Sequence, residues 1–150
     1  MLFRSLDDDA RLTATGETMG SPSFMAPELV AGQHKASGVR TDVHGLGGLL
    51  YFCLTGRAPF AAESVPAALA KAMESRPVPP REWEPSVPAS LEWIALRCLA
   101  RDPSARYASA RAMAEDLERA MVGEPVPSYA GSPRKNPEGW ARWEIGRAHV

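Results

Sequence analysis

The sequence predicts a mainly α-helical fold, because three of its stretches have the hydrophobic patterns of helices. The first stretch covers residues 41–60, where Thr41 and Asp42 are good N-cap residues and Gly56 supplies a stop signal. The residues between these signals are almost all apolar. A helix without a polar face belongs at the centre of a domain, so we expect a buried core helix here.

This helix is too short to span a membrane, since its apolar part covers only residues 43–54 and includes His44. It also contains Gly45, Gly47 and Gly48, and each glycine costs a helix roughly 1 kcal/mol relative to alanine. We therefore expect other backbones to approach the helix closely at all three glycines.

A second helix is predicted from Ala89 by apolar side chains that recur every three or four residues. They are Leu91, Ile94, Ala95, Cys98 and Leu99. A third helix follows Ser109, a good N-cap, and its predicted apolar face consists of Ala110, Met113, Leu117, Ala120 and Met121. Residues 61–74 predict a shorter helix with Ser64 as N-cap. The proline-rich residues 76–88 predict a connector without regular structure.

Length and composition are those of a soluble globular domain, with 150 residues, 45% of them hydrophobic and 23% charged. A net charge of −1 argues against binding to nucleic acid or to a membrane surface. Cys53 and Cys98 both fall in apolar helical patterns, which favours two reduced, buried thiols over a disulfide and indicates a cytoplasmic protein. The three histidines lack metal-ligand spacing, so no metal site is predicted.

Residues 20–28 form the most specific motif, Gly-Ser-Pro-Ser-Phe-Met-Ala-Pro-Glu. Its alternative interpretation is an ordinary Ser-Pro turn followed by a short helix. The motif resembles the Gly-Thr-x-x-Tyr-Met-Ala-Pro-Glu loop of bacterial eukaryotic-like (Hanks-type) serine/threonine protein kinases. Residues 41–60 resemble the central helix of that family, with His44 where an aromatic residue is usual. Residues 101–107, Arg-Asp-Pro-Ser-Ala-Arg-Tyr, resemble the Lys/Arg-Asp-Pro-x-x-Arg-Tyr turn of the same family.

The resemblance implies a kinase-like C-lobe fragment that lacks the N-lobe and the catalytic loop. It implies that substrates dock on Gly20, Ser21, Pro22, Ser23, Phe24 and Met25. It further implies a buried ion pair between Glu28 and Arg106, for which the alternative is two unrelated surface charges. It implies, finally, that Asp42 accepts hydrogen bonds from the backbone of the catalytic loop, a role that is compatible with capping the helix.

Residues 1–18 resemble the activation loop of the family, in which phosphorylated threonines pair with basic side chains and order the segment. The candidate phosphoacceptors are Thr13, Thr15 and Thr18. Composition by itself favours a different interpretation, a solvated flexible loop, because the segment is polar and contains three consecutive aspartates.

The motifs that phosphoryl transfer requires in this family do not occur in the sequence. There is no Gly-rich loop, no lysine in a Val-Ala-x-Lys context, no His-Arg-Asp and no Asp-Phe-Gly. The resemblance implies that the parent enzyme uses ATP and Mg²⁺ to phosphorylate Ser and Thr of protein substrates. We expect this chain alone to contain no catalytic residue, to bind neither cofactor and to be inactive.

Three functional hypotheses follow. The first is a fragment of an active serine/threonine kinase that supplies substrate docking and the activation-loop switch. The second is a catalytically dead, kinase-derived binding scaffold, and the third is an unrelated helical domain. The threonine-rich loop favours the first, because a scaffold has no need of a phosphorylation switch. In the complete lobe, other residues would cover the apolar surface of the central helix. Because they are missing here, we expect the isolated chain to be poorly soluble or molten.

The sequence divides into a partial kinase domain (1–123), a Pro/Gly-rich linker (124–143) and a tail (144–150). The tail spells the translation of a common sequencing adapter, and we exclude it from the fold. Trp140-Ala-Arg-Trp143 resembles the basic-aromatic stretch that precedes a membrane span in some large bacterial relatives. The parent protein could therefore carry a membrane anchor downstream of this stretch. The resemblance is also compatible with a kinase dimer. No signal peptide or membrane span is visible within the chain.

Overall fold

A computed structural model describes residues 21–130 of the chain. Its α-helices are α1 (Pro27–Val30), α2 (Val39–Thr55), α3 (Val65–Glu74), α4 (Pro80–Trp83), α5 (Ala89–Cys98), α6 (Ala110–Met121) and α7 (Pro127–Ala130). Short 3-10 helices lie at Pro22–Phe24, His34–Ala36 and Pro103–Ala105. Residues 21–130 contain no β-strand, so the predicted mainly α-helical fold is confirmed. Within the same residues, no helix has both the length and the apolar character needed to cross a membrane.

Helix α2 is the long central helix, and it packs most extensively against α5. Its start differs from the prediction, because Thr41 lies in the first turn and its Oγ1 accepts a hydrogen bond from the N–H of Gly38 (3.2 Å). Its end agrees with the prediction: Gly56 adopts a φ of 68°, the left-handed conformation that glycine reaches without strain.

The predicted burial of α2 on all sides is wrong for the described part of the chain. Val43, His44 and Tyr51 are buried, whereas Leu49 is 58% exposed and Phe52 is 49% exposed. The physical reason is that α5 covers one side of the helix, while among residues 21–130 the side that carries Leu49 and Phe52 is covered only in part, by the ring of Phe24.

The expectation that other backbones approach α2 at its glycines is confirmed at Gly47, whereas the close neighbour of Gly48 is a side chain. A Cβ atom at Gly47 would overlap the Cβ of Cys98 and lie 3.3 Å from the carbonyl oxygen of Ala95. A Cβ atom at Gly48 would lie 3.1 Å from the ring of Phe24. The expectation is wrong for Gly45, where a Cβ would meet nothing within 4 Å among the described residues.

The core of the described residues consists of two clusters, and helix α2 contributes a residue to each of them. The first contains Val43, Trp93, Ile94, Cys98, Tyr107 and Met113. The second contains Met25, Tyr51, Phe60, Ala72 and Leu99. Both cysteines are unpaired thiols, but only Cys98 is buried, and burial raises its pKa to about 12. The prediction of a buried Cys53 is wrong, because this residue lies on the exposed side of α2.

Helix α3 is shorter than the predicted 61–74, but Ser64 caps it as expected, since its Oγ accepts from the N–H of Ala67 (3.3 Å). The connector 76–88 contains one helical turn, α4, which the prediction excluded. The turn can form because proline is tolerated in the first turn of a helix. Trp83, at the end of α4, donates its Nε1–H to the hydroxyl of Tyr51 (3.0 Å).

Helix α6 has its predicted cap, because the Oγ of Ser109 accepts from the N–H of Ala112 (3.1 Å). Its apolar face is narrower than predicted, since Ala110 and Met121, at its two ends, are exposed. Residues 124–130 were assigned to a linker, yet Val126 is buried and α7 packs against α5. This part of the predicted linker is therefore docked on the helices. The domain boundaries themselves stay predictions.

Candidate functional site

The structure brings Glu28 and Arg106 together, although 78 positions separate them. Glu28 lies in the first turn of α1, and Arg106 directly follows the 3-10 turn at Pro103–Ala105. The two nitrogens of the guanidinium donate to the two carboxylate oxygens, Nη1 to Oε1 at 2.7 Å and Nη2 to Oε2 at 2.9 Å. Both side chains are buried. This is the bidentate geometry that gives an Arg–carboxylate pair its strength and direction.

Further hydrogen bonds extend this ion pair to the surrounding backbone. Arg106 also donates to the carbonyl oxygens of Ala100 (2.8 Å), Arg40 (3.0 Å) and Arg101 (3.3 Å). Thr41 Oγ1 donates to Glu28 Oε1 (2.9 Å). Burial would raise the pKa of Glu28, but the hydrogen bonds and charge of Arg106 lower it to about 2. The hydrogen bonds from the Glu28 backbone and from Thr41 add to this lowering. The ion pair therefore stays charged at neutral pH and joins α1 to the start of α2 and the end of α5.

The segment from Ser21 to Met25 forms a short turn beside this ion pair. Phe24 N–H donates to the carbonyl of Ser21 (3.0 Å), and Phe60 N–H donates to the carbonyl of Ser23 (3.0 Å). Met25 is buried in the core, whereas Ser21 is exposed. The loop is thus anchored at its C-terminal side and presents its N-terminal side to solvent.

An open groove of about 540 Å³ lies between this loop and α2. It is lined by Ser21, Phe24, Met25, Ala26, Leu29, Thr41, Asp42, His44, Gly45, Leu46 and Leu49. One wall is apolar, and the polar rim carries the exposed carboxylate of Asp42 and the hydroxyl of Ser21. A groove of this kind suits a polypeptide segment with both apolar and hydrogen-bonding groups.

His44 is a buried polar residue for which the sequence interpretation assigned no role. Its ring stacks on Phe60 with centroids 5.9 Å apart, and its Nε2 lies 3.3 Å from the Oγ of Ser75. Since Ser75 donates its own proton to the carbonyl of Leu99 (2.8 Å), Nε2 is the donor to Ser75. The other ring nitrogen, Nδ1, has no hydrogen-bond partner among the described residues.

The imidazole of His44 is neutral at physiological pH. Its pKa is lowered to about 3, mainly by burial and also by the positive charge of Arg106, while the charge of Glu28 acts in the opposite direction. A group with this pKa does not exchange protons near neutrality, so His44 is not suited to general acid–base chemistry. The sequence pointed to this unusual buried residue only in one way, by a histidine at a position where the related motif has an aromatic residue.

The remaining predicted site residues lie outside the described part of the chain: Gly20, Thr13, Thr15 and Thr18. Among residues 21–130, there is no group of three or more His, Cys, Asp or Glu side chains placed to hold a metal ion.

Comparisons with known proteins agree with this architecture. The family model for the protein kinase domain matches residues 5–117. The serine/threonine-protein kinase PknB of Mycobacterium leprae is 31% identical over 124 residues, which cover 83% of this chain and 20% of that protein. The serine/threonine-protein kinase PrkC of Bacillus subtilis is 35% identical over 110 residues, which cover 73% of this chain and 17% of that protein.

Among solved structures, the twitchin kinase region from C. elegans matches with a TM-score of 0.58 and 25% identity. The match covers 68% of this chain and 17% of that chain. The chain thus spans about a fifth of the length of the curated relatives that it matches. It belongs to the serine/threonine protein kinase family, and its described residues form part of the helical portion of the kinase fold.

Proposed function

We propose that this chain supplies the substrate-docking loop and the activation-segment switch of a serine/threonine protein kinase. In its complete form, the parent enzyme transfers the γ-phosphoryl group of ATP to Ser or Thr of protein substrates. The observation that carries this proposal is the loop 21–25, which borders an open groove and lies directly before the helix that carries the buried Glu28 of the Glu28–Arg106 pair.

The geometry of the loop suits the docking of an extended peptide. The anchored side of the loop is held by the hydrogen bond from Phe60 N–H to the carbonyl of Ser23 and by the burial of Met25. The exposed Ser21 and the carboxylate of Asp42 lie at the same groove and offer hydrogen bonds to a bound backbone. We assign substrate docking to Gly20, Ser21, Pro22, Ser23, Phe24 and Met25 and structural roles to Glu28, Asp42 and Arg106.

The lining of this groove does not offer the groups that hold ATP and Mg²⁺ in the family. The groove is lined by a single carboxylate, Asp42, and among residues 21–130 no lysine or arginine lines it to hold phosphates. Phosphate binding in this family requires a lysine and a Gly-rich loop, and Mg²⁺ requires the Asp of Asp-Phe-Gly. We therefore assign ATP and Mg²⁺ binding to other parts of the parent enzyme and derive no chemical step from this chain.

The uncovered side of α2 supports the view that the chain works as part of a larger domain. Leu46, Leu49 and Phe52 form a partly exposed apolar row on this helix, and the first two also line the groove. A contiguous apolar surface of this kind marks a contact with another protein part. We propose that the rest of the kinase domain covers it.

Other features of the parent enzyme follow from the family. We propose that phosphorylation of Thr13, Thr15 or Thr18 switches the docking loop into its active arrangement. We also propose a cytoplasmic kinase domain, which agrees with the two unpaired thiols of the chain. A membrane anchor beyond residue 143 and a kinase dimer complete this proposal for the parent protein.

A matched pair of serine variants in the parent protein tests substrate docking. We expect Ser21→Ala to lower kcat/KM for a protein substrate about tenfold, which corresponds to one lost hydrogen bond in the transition state. The control is Ser37→Ala, an exposed serine that does not line the groove and should leave kcat/KM unchanged. Equal activity of the two variants would contradict the docking role of the loop.

A catalytically dead binding scaffold is the second candidate, because the sequence lacks the ATP-binding and catalytic motifs. Long-read sequencing of the source locus separates the two candidates. An in-frame His-Arg-Asp and Asp-Phe-Gly upstream would support the active kinase. A start codon at Met1 preceded by stop codons would support the scaffold.

A further inference from the structure

The chain turns back on itself after α6 and returns along the surface of α5 and α6. The turn is made at Gly123, whose φ of 75° is a left-handed conformation, and Glu124 N–H donates to the carbonyl of Arg119 (2.9 Å). The following residues, 125–130, are called the C-terminal strap below. Val126 of the strap is buried, and Tyr129 packs on Trp93 with ring centroids 6.4 Å apart.

One hydroxyl group connects the strap to three side chains from different parts of the fold. Ser128 Oγ accepts a hydrogen bond from Nε1 of Trp93 on α5 (3.0 Å) and donates one to the carboxylate of Asp116 on α6. Tyr107 also donates to the same carboxylate oxygen (2.8 Å), and its hydroxyl lies 3.4 Å from Ser128 Oγ. The hydroxyl of Ser128 thus lies at the centre of this network.

Side chains alone attach the strap to the helices. Among the described residues, no backbone–backbone hydrogen bond joins residues 125–130 to α5 or α6. Its attachments are the burial of Val126, the ring contact of Tyr129 and the network of Ser128. A segment held in this way can leave without disrupting the hydrogen bonds of any helix.

The groups left behind by the strap keep partners of their own. Asp116 retains the hydrogen bond from Tyr107, and its other carboxylate oxygen lies 3.7 Å from Nη1 of Arg119. The indole of Trp93 would turn its N–H toward water. Departure of the strap therefore leaves no buried charge without compensation, and this favours opening as a separate step.

We propose that the C-terminal strap is a latch, closed by the hydroxyl of Ser128, that opens as a unit while the helices stay folded. Opening uncovers a surface formed by Trp93, Tyr107 and Asp116. A change in the chain beyond residue 130 that opens the latch therefore alters the exposed surface of α5 and α6. This inference does not depend on kinase activity.

The test uses the longer protein that carries this chain, because we expect the isolated 150-residue chain to be poorly soluble or molten. Two signals report on the latch: solvent exchange of the Trp93 indole N–H by NMR, and cleavage after Tyr129 by chymotrypsin. We expect Ser128→Ala to raise both rates at least about tenfold, because the variant loses the hydrogen bonds that Ser128 makes with Trp93 and with Asp116. Cleavage at the buried Tyr51 and Phe60 should not change.

Two further variants complete the experiment. Ser128→Thr keeps a hydroxyl and should keep both rates near those of the unaltered protein. Ser104→Ala removes an exposed hydroxyl that has no hydrogen bond to another described residue, and it should have no effect. Unchanged rates in Ser128→Ala would overturn the role of the hydroxyl. Increased cleavage at Tyr51 and Phe60 in that variant would show that the strap is an inseparable part of the core, and would overturn the latch.

Discussion

At the scale of single residues, the pair of Glu28 and Arg106 shows how one side chain joins distant segments. The guanidinium donates to the Glu28 carboxylate and to three backbone carbonyls. Its rigid, planar set of donors allows it to bind all of these acceptors together. Removal of one partner from such a buried pair leaves a charge without compensation, and the energetic consequence is much larger than for an ion pair in solvent.

Arg106→Met in the parent kinase domain should lower the free energy of unfolding by about 3–5 kcal/mol, because Glu28 remains buried without its partner. The control is Arg111→Met, which removes an exposed pair with Glu115 (3.4 Å) and should cost less than about 0.5 kcal/mol. Urea denaturation curves measure both variants. Similar midpoints for the two would contradict the assigned importance of the buried pair.

His44 makes a second prediction at this scale, which concerns pH. In the unfolded chain the imidazole binds a proton near its ordinary pKa of 6.5, whereas in the folded chain the pKa is lowered to about 3. Since the unfolded state binds more protons between these values, stability is fully present above pH 6.5 and declines as the pH falls towards 3. The expected loss is roughly 2 kcal/mol at pH 5.

Urea midpoints between pH 7 and 5 measure this effect. His44→Phe keeps the stacking on Phe60 and should flatten the dependence in this window. His34→Gln, at an exposed position, should leave it as it is. The lowered pKa of Glu28 acts in a different window, since its contribution is lost as the pH falls from about 4.5 through 2. Equal slopes for His44→Phe and the unaltered protein would refute the assignment.

At the scale of elements, the contact between α2 and α5 depends on the absence of a side chain at Gly47. A Cβ at residue 47 would overlap the Cβ of Cys98 and lie 3.3 Å from the carbonyl oxygen of Ala95, so the two helices meet closely at this point. Gly45, two residues earlier, faces open space within the described structure. The same substitution at these two glycines therefore separates packing from helix propensity.

Gly47→Ala should destabilise the domain by about 1–3 kcal/mol, because α2 and α5 must move apart. Gly45→Ala should instead be neutral or stabilise by up to about 1 kcal/mol, as alanine is the better helix former. Thermal unfolding of both variants of the parent domain provides the comparison. A stabilised Gly47→Ala variant would show that the two helices are not in the described contact.

At the scale of the whole molecule, the uncovered side of α2 determines how the isolated chain behaves. Leu49 and Phe52 are about half exposed, next to the apolar wall of the groove. Each large apolar side chain is worth roughly 1.5–3 kcal/mol when it is fully buried, so such a row favours association. The same row would be covered in the complete kinase domain that we propose.

We expect the 150-residue chain, expressed alone, to be poorly soluble or molten. Size-exclusion chromatography with light scattering and near-UV circular dichroism test this expectation. The double variant Leu49→Gln and Phe52→Gln should increase the monomeric fraction, whereas Val65→Gln, an exposed residue at the start of α3, should not. A monodisperse monomer with a sharp cooperative melt would contradict the expectation.

Local signals were sufficient for much of the fold. The caps at Ser64 and Ser109, the stop at Gly56 and the stripe of α5 involve residues within a few positions of one another, so a linear pattern contains them. The helical turn α4 was missed because its prolines argue against regular structure, although proline fits a first turn.

Family membership was also visible in the sequence, because three motifs in register indicated a serine/threonine kinase and the comparisons confirmed it. The helix caps, the apolar stripe of α5 and the family could therefore be inferred from the order of the residues alone. The tertiary structure alone decided which side of α2 is exposed, which glycine is crowded and where Ser128 docks. These properties depend on atoms far away along the chain, whereas helix periodicity and capping depend on neighbours in sequence.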